Sequence, residues 1–190
     1  EVNAYRSELQ GIHAILLALT LLCKEMDIRK GRVTIGCDNL QGVHMANYDR
    51  RTVSWSLQHV DLIRAIRNLR WEIQQRGVIL EFSHVKGHQD EATSYEQLPR
   101  LAQLNTDMDA AAKAALLELI DNPRSCEQTI VGEQWACLVG GAKCTTDPGP
   151  CIRKHILGRE LRDFQVAKGR ITSNAFDGID WDGMEDATKL

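Results

Sequence analysis

Apolar residues recur at helical spacing in three long stretches of the chain, with two short apolar runs between them. In residues 4–27 the apolar positions cover most of a helix circumference, which predicts a helix buried on more than one side. Residues 55–76 and 100–120 repeat the helical spacing beside more polar neighbours. Residues 33–38 and 78–85 are short and rich in β-branched and aromatic residues, which predicts two strands.

The order of these elements indicates the fold class. Helix, strand, helix, strand and helix alternate along the chain, which predicts an α/β layer structure with parallel strands. A short helix is predicted over residues 39–46, and polar loops over 47–54 and 86–99. Gly77 follows the second long helix and suits its C-terminal cap.

The regular pattern ends at residues 121–123, whose sequence is Asp-Asn-Pro. The 190-residue length suits one domain with an appendage. We therefore predict a domain over residues 1–120 and a C-terminal tail or small helical appendage over residues 121–190. Residues 151–168 favour a basic helix within that appendage.

The distribution of charge is more informative than its sum. The formal net charge is -3, which argues weakly against a nucleic-acid partner. Arginines nevertheless concentrate in one stretch, and Arg64, Arg67 and Arg70 form a stripe along the second long helix. This stripe either holds backbone phosphates or is a solvated helix face with salt bridges, and the sequence favours neither interpretation.

The cysteines and the apolar runs indicate which cellular compartment the protein is expected to occupy. No signal peptide precedes the six cysteines and no paired spacing repeats, which favours free thiols in a reducing compartment and an intracellular protein, cytoplasmic or nuclear and not secreted. The longest apolar run, Ile15 to Cys23, is too short to span a bilayer, so no membrane partner is expected.

The cysteines of the C-terminal part are candidate ligands of a zinc ion. The available ligands in the C-terminal part are Cys126, Cys137, Cys144, Cys151 and His155. The gaps between the cysteines are long and lack the C-x-x-C spacing of structural sites. We therefore expect no structural zinc.

Two acids stand out by their positions in the predicted elements. Glu8 lies in the first turns of a largely apolar helix, where a carboxylate costs free energy unless it meets a cation. The alternative is an ordinary surface Glu. Asp38 ends the first predicted strand, and ligands of open α/β sheets gather at such strand ends. The alternative for Asp38 is an N-cap of the following helix.

Two further candidates lie later in the chain. Asp109 follows Asn105 in the third long helix. Asn105 suits an N-cap, in which case Asp107 and Asp109 would only complement the helix dipole. His88 follows Gly87 in a polar loop, where a histidine is ordinarily just solvated.

Four motifs occur in a fixed order, each on an element of the expected type. They are SELQGI at residues 7–12, IGCDN at 35–39, HVKGHQD at 84–90 and LNTDMDAAAKAA at 104–115. Together they resemble the ribonuclease H family, and in particular the type 1-like domains that follow reverse transcriptases in eukaryotic retroelements. The C-terminal part, with ITSNAFDGIDW at residues 171–181, more loosely resembles tails of such proteins in algae.

The resemblance implies a ribonuclease H-like fold, with a mixed central sheet flanked by helices, and hydrolysis of the RNA strand of RNA/DNA hybrids. By that resemblance the catalytic residues are Glu8, Asp38, His88 and Asp109. Two Mg²⁺ or Mn²⁺ ions would be held by Glu8, Asp38 and Asp109, since hard cations prefer oxygen ligands. His88 would move protons or help product leave. The implied partners are the hybrid and an upstream reverse transcriptase domain of the same polyprotein.

The chain departs from the family pattern at its start. The family begins with a strand that carries a further Asp, and nothing before Glu8 can be that strand. We therefore expect an N-terminally truncated domain that lacks its first strands and one acid. This chain alone should be inactive or nearly so and poorly stable, while the intact parent should be active.

Two other functions compete with this interpretation. One is a catalytically inactive ribonuclease H-like module that binds nucleic acid or a neighbouring domain. The joint presence of the four motif residues argues against it, and the missing first acid argues for it. The other is an integrase- or exonuclease-type nuclease on the same general fold, which the VKGH and N-x-x-x-D patterns disfavour.

Overall fold

The computed structural model describes residues 4–48, 53–121, 130, 131, 133 and 136–179. Six helices and four strands follow one another in these ranges. They are α1 (Ala4–Glu25), β1 (Gly31–Cys37), α2 (Leu40–Asn47), α3 (Val60–Gln75), β2 (Val78–His84), α4 (Arg100–Asp121), β3 (Leu138–Val139), β4 (Ala142–Lys143), α5 (Pro148–Ala167) and α6 (Ser173–Asp177). The loop between β2 and α4 contains two single turns of 3₁₀ helix.

The two predicted strands pair in parallel, as the alternation of elements indicated. The register runs from Gly31 opposite Val78 to Cys37 opposite His84. Within the described residues this sheet has two strands, so each strand keeps one edge that no other described strand pairs. The α/β fold class is therefore confirmed as a mixed structure of helices and a small sheet.

Helices α1, α2 and α3 pack with one face of the sheet and form the main core. Alternate residues of the strands point to this face, including Ile35 of β1 and Leu80 and Phe82 of β2, all of which are buried. Leu9 and Leu16 of α1 have no exposed surface and pack in the same cluster. Burial of this apolar area is what holds the three helices on the sheet.

Helix α4 covers the other face only near the ends of the strands. Gly36 of β1 lies beside Val85 and Leu101, and a Cβ atom at Gly36 would lie 2.8 Å from Val85 Cγ2. The absence of a side chain at Gly36 therefore lets this small second cluster approach the sheet. Further along the same face Arg32 and Glu81 form an exposed ion pair at 3.1 Å.

One predicted helix start and one suggested N-cap are wrong. Helix α3 begins at Val60, not at residue 55, because His59 adopts a left-handed conformation with φ of 58° and turns precede it. Helix α4 begins at Arg100, so Asn105 lies inside it and is not its N-cap. Asp109 therefore lies well beyond the first turn, where the helix dipole has little effect.

The C-terminal segment contains a hairpin that periodicity did not predict. Strands β3 and β4 are antiparallel and two residues long each. Lys143 of β4 reaches Asp61 at 3.0 Å and Glu133 at 2.7 Å, and Arg6 reaches Asp61 at 2.9 Å. These ion pairs join the C-terminal segment to α3 and α1. The predicted separation of the two parts near residue 120 stays a prediction.

Helix α1 also meets a compositional test for membrane helices. Its most apolar 18-residue window has a mean hydropathy of 1.2, and 33% of that window is buried. Core helices of soluble proteins and signal sequences share this length and composition, and α1 packs in the main core through Leu9 and Leu16. The expected absence of a membrane partner stays a prediction.

We expect Gly77→Ala to lower the free energy of unfolding by about 1–3 kcal/mol, measured by urea denaturation. Gly77 has a φ of 84°, and a Cβ atom there would lie 2.5 Å from the Arg29 carbonyl oxygen. Gly11→Ala is the matched control, because no atom lies within 4 Å of its Cβ position. In the middle of α1 it should stabilise the protein by up to about 1 kcal/mol. Equal stability of the two variants would contradict this account.

Asp61→Asn should destabilise the protein by about 3 kcal/mol, because the buried network would lose the carboxylate that Arg6 and Lys143 share. The side chains of Asp61 and Lys143 are only 5% exposed. Burial alone would raise the pKa of Asp61, but the hydrogen bonds from Arg6 and Lys143 lower it below its usual 3.8. Its stabilising contribution is therefore present above that value and is lost as the pH falls through the depressed pKa. Thermal melts between pH 2 and 7 would test both statements.

The matched control for this variant is Asp27→Asn, since the Asp27 and Arg29 side chains are 69% and 73% exposed. Exposed pairs contribute little, so this change should leave the melting temperature nearly unaltered. A similar loss in both variants would show that the buried network adds nothing particular.

Candidate functional site

The structure brings Glu8 and Asp38 together from different elements. Glu8 lies on α1 and Asp38 directly follows β1. Carboxylate oxygens of both residues and the Cys37 sulfur lie within 4.8 Å of one another, and both acids are half-buried. Because the apolar stripe of α1 packs toward the sheet, Glu8 at the edge of that stripe reaches the strand end.

The N-cap interpretation of Asp38 is wrong. The side chain of Asn39 accepts a hydrogen bond from the Gly42 backbone N–H at 2.9 Å and so caps α2. The Asp38 main-chain oxygen lies 3.0 Å from His84 Nε2. The Asp38 carboxylate is therefore directed to the cluster with Glu8 while its neighbour satisfies the helix end.

The pKa of Glu8 depends on its burial and on the charges of two other candidate residues, Asp38 and Asp109. Loss of water raises the pKa of Glu8 above its usual 4.5, and the negative charge of Asp38 raises it further. The charge of Asp109 on α4 adds to the same effect, while a hydrogen bond from Cys37 opposes it. Because their negative charges repel one another, ionisation of all these carboxyl groups at once is unfavourable. A bound cation would make it favourable.

Cys37 is a member of the cluster that sequence reasoning missed. Its sulfur lies 3.6 Å from Glu8 Oε2, and the thiol donates to that oxygen. Burial raises the pKa of Cys37 to about 11, so it remains a thiol at neutral pH. The IGCDN motif contained a signal for this. Side chains of a strand alternate between its two faces, and Cys37, directly before Asp38, lies on the face of β1 that packs against the core.

The loop with His88 passes beside Asp38. A Cβ atom at Gly87 would lie 3.2 Å from Asp38 Oδ2, so the backbone of this loop is close to the carboxylate. His88 adopts a left-handed conformation with φ of 53°, and its side chain is 72% exposed. Its ring nitrogen Nδ1 lies 3.6 Å from Glu91 Oε1. His88 therefore neighbours the cluster without being buried in it.

The arginine stripe makes contacts inside the protein. Arg64 stacks over the Trp55 ring at 4.5 Å, and Arg70 donates to the Ala46 carbonyl oxygen at 3.0 Å. Arg67 lies 6.0 Å from the centre of the Tyr48 ring. These contacts favour a structural role for the stripe over the binding of phosphates.

A cavity of about 120 Å³ lies elsewhere, between α3 and the C-terminal segment. Trp55, Asp61 and Arg64 line one side of it, and Cys137 and Cys144 line the other. It contains none of the four candidate catalytic residues. The acidic cluster therefore lies outside this cavity.

Comparisons with known proteins return no relative. No protein-family model matches the chain, no curated protein matches it, and no solved structure matches it. The arguments for function therefore rest on the motifs and on the geometry of the cluster.

Mg²⁺ or Mn²⁺ should raise the melting temperature of the protein, and Glu8→Gln should reduce that rise because one carboxylate ligand is lost. The raised pKa of Glu8 means that, without metal, this residue stabilises the fold at low pH and loses that contribution as the pH rises through its pKa. Glu8→Gln should therefore be slightly more stable than the wild type at neutral pH without metal. The stabilisation by metal should weaken as the pH falls through the raised pKa.

Glu25→Gln, at the exposed end of the same helix, is the control and should respond to metal like the wild type. Thermal melts with and without the ions would decide the matter. An equal metal response in Glu8→Gln and wild type would exclude Glu8 as a ligand.

Proposed function

We propose that this chain forms the greater part of a ribonuclease H domain that hydrolyses the RNA strand of RNA/DNA hybrids. The observation that carries the proposal is the meeting of Glu8 and Asp38 at the end of β1, within the charge field of Asp109. The family resemblance requires these acids to come together from two helices and a strand end. The finer ribonuclease H-like topology is part of the same proposal.

The donor atoms fit Mg²⁺ or Mn²⁺ better than a soft metal. Carboxylate oxygens are the ligands that these hard ions prefer. The nearby Cys37 does not alter this, because its pKa of about 11 keeps it protonated and hydrogen-bonded to Glu8. The raised pKa of Glu8 is the expected sign of acids crowded together without a cation.

Each residue has a role in the proposed reaction. Two bound ions would activate water and stabilise the leaving oxygen of the phosphodiester. Glu8, Asp38 and Asp109 bind those ions, and the Cys37 thiol orients Glu8 through its hydrogen bond. His88, exposed on the loop beside Asp38, transfers protons or assists the departure of product. It is not assigned as a metal ligand.

Substrate selection would follow from the shape of the hybrid. The 2′-hydroxyl of RNA, both a donor and an acceptor, distinguishes the strand to be cut. The internal contacts of Arg64 and Arg70 argue that phosphate binding falls to other residues. A reverse transcriptase domain upstream in the same polyprotein is the proposed partner, and removal of RNA from a newly made hybrid is the proposed task.

We further propose that activity needs strands encoded upstream. In the described part of the chain, the outer edge of β1 pairs with no strand, and an unpaired edge favours further pairing. Helix α1 also exposes apolar side chains, with Ile15 44% and Leu22 47% exposed. Additional strands would cover this surface and supply the missing acid.

The test is Mg²⁺-dependent cleavage of an RNA/DNA hybrid by a longer chain that includes the upstream sequence, beside the present 190 residues. We expect the longer chain to cut the RNA strand and the present chain to show little or no cutting. Asp38→Asn and Asp109→Asn in the longer chain should each reduce the rate by about 100-fold or more, as loss of a principal electrostatic group does.

Asp107→Asn is the matched control on α4, since Asp107 is exposed and accepts a hydrogen bond from Tyr95 at 3.0 Å. It should leave the rate within a few-fold of the wild type. A folded longer chain that binds hybrids without cutting them would instead establish the inactive binding module.

A further inference from the structure

Four residues of types that bind metals, three cysteines and a histidine, gather around the β3–β4 hairpin. Cys137 directly precedes β3 and Cys144 directly follows β4. The Cys144 backbone N–H donates to the Cys137 carbonyl oxygen at 2.8 Å, so the two cysteines lie opposite each other at the base of the hairpin. The turn thus brings together two residues that have six others between them in the sequence.

Helix α5 brings the remaining two residues to the same place. Cys151 and His155 are four residues apart, so both lie on one face of the helix. The Cys144 thiol lies close enough to both Cys151 and Cys137 to interact with them electrostatically. The His155 ring lies against the hairpin turn, since a Cβ atom at Gly140 would be 2.8 Å from its Cε1 and Nδ1 atoms.

We propose that Cys137, Cys144, Cys151 and His155 form a structural zinc site. Three thiolates and an imidazole are a common ligand set of closed tetrahedral sites. The long gaps between the cysteines argued against zinc, but in the fold the β3–β4 hairpin closes the gap between Cys137 and Cys144. Cys126, the remaining candidate ligand from the sequence, lies outside the described residues.

The cluster is looser than a metal-bound site. Within the described ranges, only Glu8, Cys37 and Asp38 bring three such ligand atoms within 4.8 Å of one another. The Cys144 thiol interacts with both other thiols, and binding requires that Cys137, Cys151 and His155 close around it. Zinc would release the three thiol protons to solvent as the sulfur atoms become thiolates.

Such a site would stabilise the attachment of the C-terminal segment to the domain. Lys143, next to Cys144, makes the buried ion pairs with Asp61 and Glu133. On the other side of Cys144, the Thr145 carbonyl oxygen accepts a hydrogen bond from the Val60 N–H at 3.0 Å. An ion at Cys144 would hold both contacts against the start of α3. This inference does not depend on the proposed nuclease.

The first experiment measures metal in the 190-residue chain after expression with added zinc and purification under reducing conditions. We expect about one zinc per chain. Replacement of zinc by Co²⁺ should produce the visible absorption of tetrahedral cobalt with thiolate ligands. Cys144→Ser should abolish both signals. Cys37→Ser and Cys126→Ser are the controls and should retain them.

Because Cys144→Ser could fail to fold, His155→Ala provides a second test at an exposed position. It should weaken zinc binding by about tenfold or more and change the cobalt spectrum, because a nitrogen ligand is lost. The proposal is overturned by a chain that takes up no zinc under reducing conditions. Zinc that persists in a folded Cys144→Ser variant, or a cobalt spectrum unchanged in His155→Ala, also overturns it.

Discussion

The parallel pairing of β1 with β2 is the constraint on which the candidate site depends. Its register places Cys37 opposite His84, and the Val85 N–H continues the ladder to the Cys37 carbonyl oxygen at 3.0 Å. Asp38 and the loop with His88 therefore leave the sheet at one edge. A slip of one residue would turn Cys37 away from α1 and separate Glu8 from the strand end.

Two half-buried acids of this protein differ in how their charge is stabilised. Asp61 meets Arg6 and Lys143 in the folded protein, and these cations keep its pKa low despite burial. Glu8 faces other acids and a neutral thiol, and its pKa is raised. The first arrangement stabilises the fold, whereas the second is destabilising by itself. An arrangement of the second kind is typical of sites that act on a ligand.

The C-terminal segment contacts the domain through chemically different groups placed close together. A buried ion pair at Lys143 and a backbone hydrogen bond at Thr145 come from the two residues on either side of Cys144. Close spacing of such contacts makes them cooperative, because each one orders the backbone that the next one needs. Within the described residues, these contacts tie the segment to the start of α3, and Ile130 also packs against the main core.

Local patterns of residues were enough to predict the main helices, the two strands, their parallel order and the strand-end position of Asp38. These follow from local periodicity and from the chirality of the chain, which any short window of residues expresses. The three-dimensional fold, in contrast, determines that Cys37 faces Glu8 and that Cys144 lies beside Cys137 and Cys151. Those outcomes depend on register and on packing between distant segments, which no local pattern of apolar and polar residues encodes.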